Sequence, residues 1–248
     1  MEGSDAGLPY DLRVRRSPKT PSRVRLALLA LSAAAALALS ACASTPAAEQ
    51  PPSAPAAQPT SSAASEVCEY PADSRPAAKE VSAPPADPAV SGEVPTTMTT
   101  SAGDLTVTLD ADAAPCTVNS FVSLADQGYF DGTQCHRLTT AGIFVLQCGD
   151  PSATGRGGPG YSFADELSGS ETYGAGTLAM ANAGPDTNGS QFFIVYSDSS
   201  LPPSYTVFGH LDEASTAVVS AIAAEGTASG APDGAPKTPV TIDAVAVG

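Results

Sequence analysis

The chain has 248 residues, with 11 Lys and Arg against 26 Asp and Glu, 23 Pro, 22 Gly, five Cys and no Trp. Its formal charge of −15 argues against nucleic acid or an anionic membrane surface as an electrostatic partner. Residues 42–92 are rich in Pro, Ala, Ser and Gln and hold no Ile, Leu, Phe or Met. About 155 residues remain after them, room for one domain with a real core but not for a two-domain enzyme.

The first forty residues read as an address. Arg13, Arg15, Arg16, Lys19, Arg23 and Arg25 precede an apolar run from Leu26 to Leu39 that only Ser32 interrupts. That run is too short to span a bilayer comfortably and has the form of an export signal. The pair Arg15-Arg16 is followed by residues that fit twin-arginine export poorly. Leu39-Ser40-Ala41-Cys42 resembles a bacterial lipoprotein signal, cut before a cysteine that then carries lipid; the alternative is an ordinary secretory signal with an incidental Cys. On the lipoprotein reading, residues 1–41 are a signal peptide and 42–92 a disordered Pro/Ala-rich tether, with the folded domain at 93–248. The domain is then extracytoplasmic, anchored to the outer face of the cell membrane by lipid on Cys42. Residues 1–41 hold six of the basic and three of the acidic residues, so removing them leaves 5 basic against 23 acidic, a net of −18.

Cys68, Cys116, Cys135 and Cys148 remain. An even set in an exported protein points to disulfides, and four cysteines allow three pairings. Cys135 and Cys148 lie at the two ends of an expected hairpin, which favours Cys135–Cys148 with Cys68–Cys116. That second bridge would staple the end of the tether to the domain. Zinc competes poorly, because there is no Cys-x-x-Cys pair and only His136 and His210 could assist. Free thiols stay open.

In chain order, Met98–Thr100 and Leu105–Leu109 flank Ser101-Ala102-Gly103-Asp104, a turn between two strands. Residues 116–127 put Val118, Phe121, Val122 and Ala125 on one helical face, with Pro115 before them and Gly128 after. Strands are predicted at 133–138, 143–148, 177–181, 191–196 and 206–210. A helix at 212–224, burying Val218, Val219 and Ile222, precedes a last strand at 240–247. The long Gly-rich loop 149–176 is of a length that compact domains usually reserve for function. Many short strands with two isolated helices indicate an all-β barrel or sandwich with helical plugs.

Three segments are dense with chemistry: Cys135-His136-Arg137-Leu138 followed by Phe144-Val145-Leu146-Gln147-Cys148-Gly149-Asp150; Met180 to Phe193; and Leu201 to Gly209. Arg137 is one of only three basic residues in 93–248, against seventeen carboxylates. Strand alternation sets it opposite His136 and Leu138, so His136 reads as a packed strand residue rather than a base. An arginine flanked by apolar residues must satisfy its donors, and taken alone it reads best as a buried ion pair with one of those carboxylates. Gly155 to Gly160 lacks the Lys-Ser/Thr of a phosphate loop, and no Gly-x-Ser-x-Gly elbow supports a serine hydrolase. Asn188-Gly189-Ser190 is a formal glycosylation sequon inside the second segment.

That second segment, Met-Ala-Asn-Ala-Gly-Pro-Asp-Thr-Asn-Gly-Ser-Gln-Phe-Phe, resembles the signature of the cyclophilin peptidyl-prolyl isomerases. Phe-x-x-Gln after His-Arg, and Val-Phe-Gly later, fall in the same order, and the resemblance spans about 93–248. Together with the lipoprotein signal, it looks like an exported actinobacterial cyclophilin. The resemblance implies an eight-stranded antiparallel barrel capped by two helices, with Arg137 as the catalytic residue. It implies substrate contacts from Phe144, Val145, Gln147, Ala181, Asn182, Ala183, Gln191, Phe193, Leu201 and Tyr205. It implies no cofactor and no metal, proline-containing polypeptides as partners during or after export, and a monomer. The chain departs from the family pattern in three ways. Thr139 to Ile143 lengthen the hairpin tip by two residues, Ser200 stands where many members have Trp, and Tyr205 where many have His. The missing Trp weakens the case for cyclosporin binding more than the case for catalysis. The rival is a non-catalytic proline-peptide binding module or holdase on the same fold; an intact Arg137, Phe144, Gln147 and Phe193 set argues against it.

Overall fold

A computed structural model describes residues 67–248. The expected signal peptide, Cys42 and the first part of the expected tether lie outside the described residues. No described helix is long and apolar enough to cross a membrane.

Two hairpin strands open the domain, β1 (Glu93–Thr100) and β2 (Gly103–Asp110). Ser101 and Ala102 turn the chain between Thr100 and its partner Gly103. Alternation explains the pair: along β1, Val94, Thr96, Met98 and Thr100 face inward while their neighbours face out. Helix α1 (Pro115–Asp126) follows, with proline in its first turn, where the missing N–H costs nothing. The chain continues through β3 (Thr133–Gln134), β4 (Arg137–Thr139), β5 (Val145–Cys148), β6 (Thr177–Met180), β7 (Phe192–Val195) and β8 (Val207–Leu211). Helix α2 (Glu213–Glu225), β9 (Asp233–Gly234) and β10 (Thr241–Val247) complete it. Asp212 caps α2 by accepting from the Ser215 N–H at 2.7 Å. The Ser215 hydroxyl in turn accepts from Thr106 N–H at 2.8 Å, joining α2 to β2.

All ten strands form one antiparallel sheet in the order β3-β10-β1-β2-β8-β6-β7-β5-β4-β9. The fold class is the expected one, mostly antiparallel sheet with two helices. Among the described residues the count is ten rather than eight, because the two-residue strands β3 and β9 are added at the ends. Those ends do not pair with each other, so the sheet is a curled half-barrel and not a closed barrel. The single strand expected at 133–138 splits in two. The chain changes partners at Cys135 and His136, whose N–H groups donate to Val240 and Gln147. Both expected disulfides are present, Cys68–Cys116 and Cys135–Cys148.

The main core sits inside the curl. Phe121 of α1 stacks on Phe130 at 5.0 Å and meets Phe192 and Phe208 edge-on or tilted at 5.7 and 5.4 Å. Helix α1 has no side-chain N-cap of its own. Glu166 supplies one from the long loop: its carboxylate accepts from Cys116 and Thr117 N–H, each at 2.8 Å, and from the Thr117 hydroxyl at 2.6 Å.

One boundary is corrected. The tether was expected to run to residue 92, but residues 67–92 lie on the domain as a strap. Cys68 is tied to α1 by its disulfide, and the Tyr70 ring meets Tyr161 and Phe163 edge-on at 5.5 and 5.6 Å. The Tyr70 hydroxyl donates to the Cys116 carbonyl at 2.7 Å. Asn119 donates to Pro85 O at 2.8 Å, Ser82 donates to Gln127 at 2.8 Å, and the Lys79 ammonium bonds the Gly128 carbonyl just past the end of α1. This cover explains why polar Asn119 and Ser120 are buried as completely as Val118.

Candidate active site

Strands β5, β6 and β7 are buried on both faces. Phe192 and Ile194 enter the main core, whereas the intervening Phe193 and Val195 belong to a second, smaller apolar cluster with Val145, Ala179 and Tyr173. The run Phe-Phe-Ile-Val therefore serves two cores at once, as period-two alternation requires. The second cluster is the floor of the site. Arg137 lies directly opposite Gln147 in the β4–β5 pairing, Gln147 opposite Phe193, and Phe193 opposite Ala179. Residues paired in this way share a face, so the register alone sets the guanidinium, the amide and the ring in a row.

Above that floor is a cavity of about 160 Å³. Val145, Phe193, Leu201 and Ile143 supply its apolar surface, Arg137 and Gln147 one polar edge, and Ala181, Asn182 and Tyr205 the remaining rim. The Tyr205 ring meets Phe193 edge-on at 5.5 Å. Behind it, the buried Tyr173 hydroxyl donates to Tyr205 O and accepts from Tyr205 N–H, both at 3.0 Å. Nothing in the sequence had singled out Tyr173; Tyr-Gly at 173–174 inside a polar loop carries no pattern.

Arg137 is held on three donors. Its Nε and Nη2 grip the Asp233 carboxylate at 2.9 and 2.7 Å, and Nη1 donates to Gln147 Oε1 at 3.2 Å. One N–H on each terminal nitrogen is left for a ligand. The pair is half-exposed, with side-chain accessibilities of 40% for Arg137 and 54% for Asp233. Hydrogen bonding to Asp233 raises the arginine pKa, and the same contact holds the Asp233 carboxyl below its ordinary value. The ion pair expected for an isolated arginine is thus present, but at the mouth of an apolar cavity rather than in the core. From Gln147 the chain of bonds continues through Gln191 to the Gly157 carbonyl, each link 2.9 Å.

Most of the residues the resemblance singled out meet here: Arg137, Val145, Gln147, Ala181, Asn182, Phe193, Leu201 and Tyr205 all line this cavity. The Asn182 side chain is spent on the rim itself, donating to Ser204 O at 2.9 Å, so what it offers a ligand is its main chain. Phe144 is a correction. Its ring lies against Tyr196, edge-on at 6.0 Å, and Ile143 takes the place on the cavity wall. Ile143 and Phe144 precede β5, and it is Ile143 that joins Val145 and Gln147 on the cavity wall. Burial pushes the His136 pKa down, and both its buried ring nitrogens lack a hydrogen-bond partner among the described residues, which costs the fold energy.

Ala183 and Gln191 line a neighbouring cavity of about 120 Å³, which shares Gln147, Ala181 and Asn182 with the first. Its far side is the loop after β5, ordered around Asp150. That fully buried carboxylate accepts from Ser152, Thr154, Arg156 and Gly157 N–H at 2.8 to 3.1 Å and from the Ser152 hydroxyl at 2.7 Å. Burial alone would raise its pKa, but these bonds outweigh it and hold the value below the ordinary range. Gly157 admits no side chain, since a Cβ there would stand 2.0 Å from Asp150 Oδ1. Among the described residues, no group of three or more His, Cys, Asp or Glu is arranged to hold a metal ion.

Residues 96–247 match the model of the family described as cyclophilin type peptidyl-prolyl cis-trans isomerase/CLD. The chain is 49% identical over 196 residues to a probable peptidyl-prolyl cis-trans isomerase B of Mycobacterium leprae, covering 72% of this chain and 65% of the relative. It is 50% identical over 196 residues to the protein of the same description in Mycobacterium tuberculosis, covering 72% and 63%. This chain thus spans a little under two thirds of the length of those relatives. A solved cyclophilin-type isomerase of Cryptosporidium parvum superposes with a TM-score of 0.55 at 30% identity, covering 63% of this chain and 98% of that one. The same Cryptosporidium protein, solved in the presence of the dipeptide Ala-Pro, gives a TM-score of 0.54 at 31% identity, with coverages of 62% and 98%.

Proposed function

Since this chain belongs to the family of cyclophilin-type peptidyl-prolyl cis-trans isomerases, we propose that it catalyses rotation about X–Pro bonds of exported polypeptides, with Arg137 as the catalytic residue. One observation carries the reading: a guanidinium held by Asp233 and Gln147 stands at the edge of an apolar slot with donors to spare.

Rotation about an X–Pro bond faces a barrier of roughly 18–20 kcal/mol, because amide resonance is lost on the way. No bond breaks, so the reaction needs no nucleophile, metal or redox group. In the twisted state the prolyl nitrogen becomes pyramidal and exposes a lone pair. A donor aimed at that nitrogen stabilises the twisted amide and leaves the planar one alone, which is differential binding of the transition state. Val145, Phe193, Leu201 and Ile143 would grip the pyrrolidine ring in a dry slot. Gln147 and the Asn182 main chain would hold one side of the peptide while the other turns.

The site of action we propose is the outer face of the cell membrane, with lipid on Cys42. Leu39-Ser40-Ala41-Cys42 after the apolar run supports it, as do two disulfides, which persist in oxidising compartments. Mass spectrometry of the mature protein tests the lipid directly: an unmodified Cys42 would overturn this placement.

Arg137→Ala tests the chemistry. Removing one preorganised donor of this kind costs about 10²- to 10³-fold in rate, whereas loss of a half-exposed ion pair costs the fold only about 0.2–1 kcal/mol. A protease-coupled assay on a proline peptide should therefore lose most of its acceleration while the melting temperature barely moves. Full activity in Arg137→Ala would sink the mechanism. Peptide binding without any acceleration by the wild type would favour a binding module instead.

A further inference from the structure

The strap does more than cover α1. Its residues Asp73 and Arg75 form one wall of the second cavity, opposite Ala181, Asn182 and Gln191. Both lie before residue 96, outside the segment that matches the family. Their position is set by backbone bonds to the loop that makes the next wall. Asp73 N–H donates to Gly160 O at 2.9 Å, Ser162 N–H to Pro71 O at 3.0 Å and Ala78 N–H to Gly158 O at 2.8 Å. A Cβ on Gly160 would come within 3.1 Å of the Ala77 nitrogen, so strap and loop run in direct contact. The Cys68–Cys116 disulfide fixes the strap just upstream.

Arg75 is oriented within this wall. Nη2 bonds the Asp73 carboxylate and Nη1 the Arg156 carbonyl, both at 3.0 Å. Its side chain stays 62% accessible, against 22% for Asp73, so the guanidinium rather than the carboxylate is the group within reach. Arg156 is itself exposed on the same lip. Residues 67–248 contain five basic residues and 21 acidic ones, and Arg75 is the one of those five that lines this cavity. The rest of the lining is neutral: Gly, Ser, Thr, Asn, Gln, Ala, Pro and Tyr. The accessible charge on this wall is thus the Arg75 guanidinium, with the Asp73 carboxylate paired behind it.

We propose that this second cavity selects substrates by charge, taking an acidic side chain of the client through Arg75. The proposal rests on the isomerase reading for the position of the proline. The two cavities share Gln147, Ala181 and Asn182, and an extended chain advances about 3.3–3.6 Å per residue. A side chain within two residues of the proline therefore reaches the second cavity.

The test is a set of proline peptides in which each of the two positions on either side of the proline carries Glu, Ala or Lys in turn. Affinities come from calorimetric titration, and rates on the Ala peptides from exchange spectroscopy. At one position, the wild type should bind the Glu peptide about two- to fivefold more tightly than the Lys peptide, the scale of a partly exposed ion pair, with the ratio shrinking in salt. Arg75→Gln should bring that ratio close to one, and Asp73→Asn, which removes the opposing carboxylate, should widen it. A wild type without charge preference at any position, or an Arg75→Gln variant that keeps the full ratio, overturns the proposal. Failure of the isomerase reading would look different, as a wild type that accelerates none of the Ala peptides; the affinity ratios still decide the role of Arg75 in that case.

Discussion

The Asp233–Arg137 contact makes the sharpest test of how the site is organised. In Asp233→Ala, two of the three bonds that hold the guanidinium disappear and only the 3.2 Å bond from Nη1 to Gln147 remains. An arginine side chain carries about 2 kcal/mol of rotamer entropy. Releasing two of three restraints gives back roughly two thirds of it, about 1.3 kcal/mol, or close to a tenfold fall in the population of the productive pose. A second effect opposes this, because the carboxylate also offsets part of the guanidinium's charge. Asp233 is more than half exposed, so solvent screens that term and the orientational loss prevails. The expected result is a fall of about tenfold in kcat with little change in KM, and a stability loss under about 1 kcal/mol. Asp233→Asn keeps one acceptor oxygen and should recover much of the rate. Exchange spectroscopy on a proline peptide avoids a coupling protease and allows the pH to be varied. The Asp233 carboxyl is held below its ordinary value by the arginine. The intact pair is therefore fully present above the ordinary value, near about pH 4, and is lost as pH falls through the lowered one. The wild type should show an acid limb there that Asp233→Asn lacks. Unchanged kcat in Asp233→Ala would refute the positioning role, as would a loss that Asp233→Asn shares in full.

Two further outcomes concern the frame of the site. Glu166→Ala removes the carboxylate that caps α1 through three bonds and should cost about 1–2 kcal/mol in denaturant unfolding, with Glu166→Gln losing less; an unchanged midpoint would mean that water replaces the cap. Replacing both Cys68 and Cys116 by Ser opens a closure of 48 residues, worth about 4 kcal/mol at most on the chain-entropy account. Hydrogen exchange should then show the strap 67–92 opening ahead of the sheet, and equal protection with and without the bridge would contradict its role as the clasp.

The sheet and helices were legible because they obey simple periods. Alternation along 105–109 and the 3.6-residue spacing of Val118, Phe121, Val122 and Ala125 each match a buried face in the structure. The short strand β9 was not legible, nor was the break that separates β3 from β4. Two residues carry no period, and what defines them is pairing with β10 and β4, residues more than ninety positions away. The same limit hid Asp233: among seventeen carboxylates, nothing local marks the one that the fold returns to Arg137. The Phe144 assignment failed for a different reason. It followed motif order, whereas Ile143 and Phe144 lie just before β5, where no strand period fixes which side chain enters the slot.

The strap shows what a compositional argument leaves out. Averaged over 42–92, the segment has too few apolar residues to form a core, and that inference stands for a chain on its own. Residues 67–92 need no core of their own, because they are held by a disulfide, by Tyr70 against two aromatic rings and by polar groups of α1. The hint lay in the helix rather than in the strap. Asn119 and Ser120 are buried polar positions of a helix that also carries an apolar stripe. A helix whose polar side is also buried must be covered by something able to bond it, and an irregular segment with free main-chain groups can do that. The same strap then carries Arg75 to the edge of the second cavity. Arg75 thus reaches the cavity from a segment that lies outside the family match.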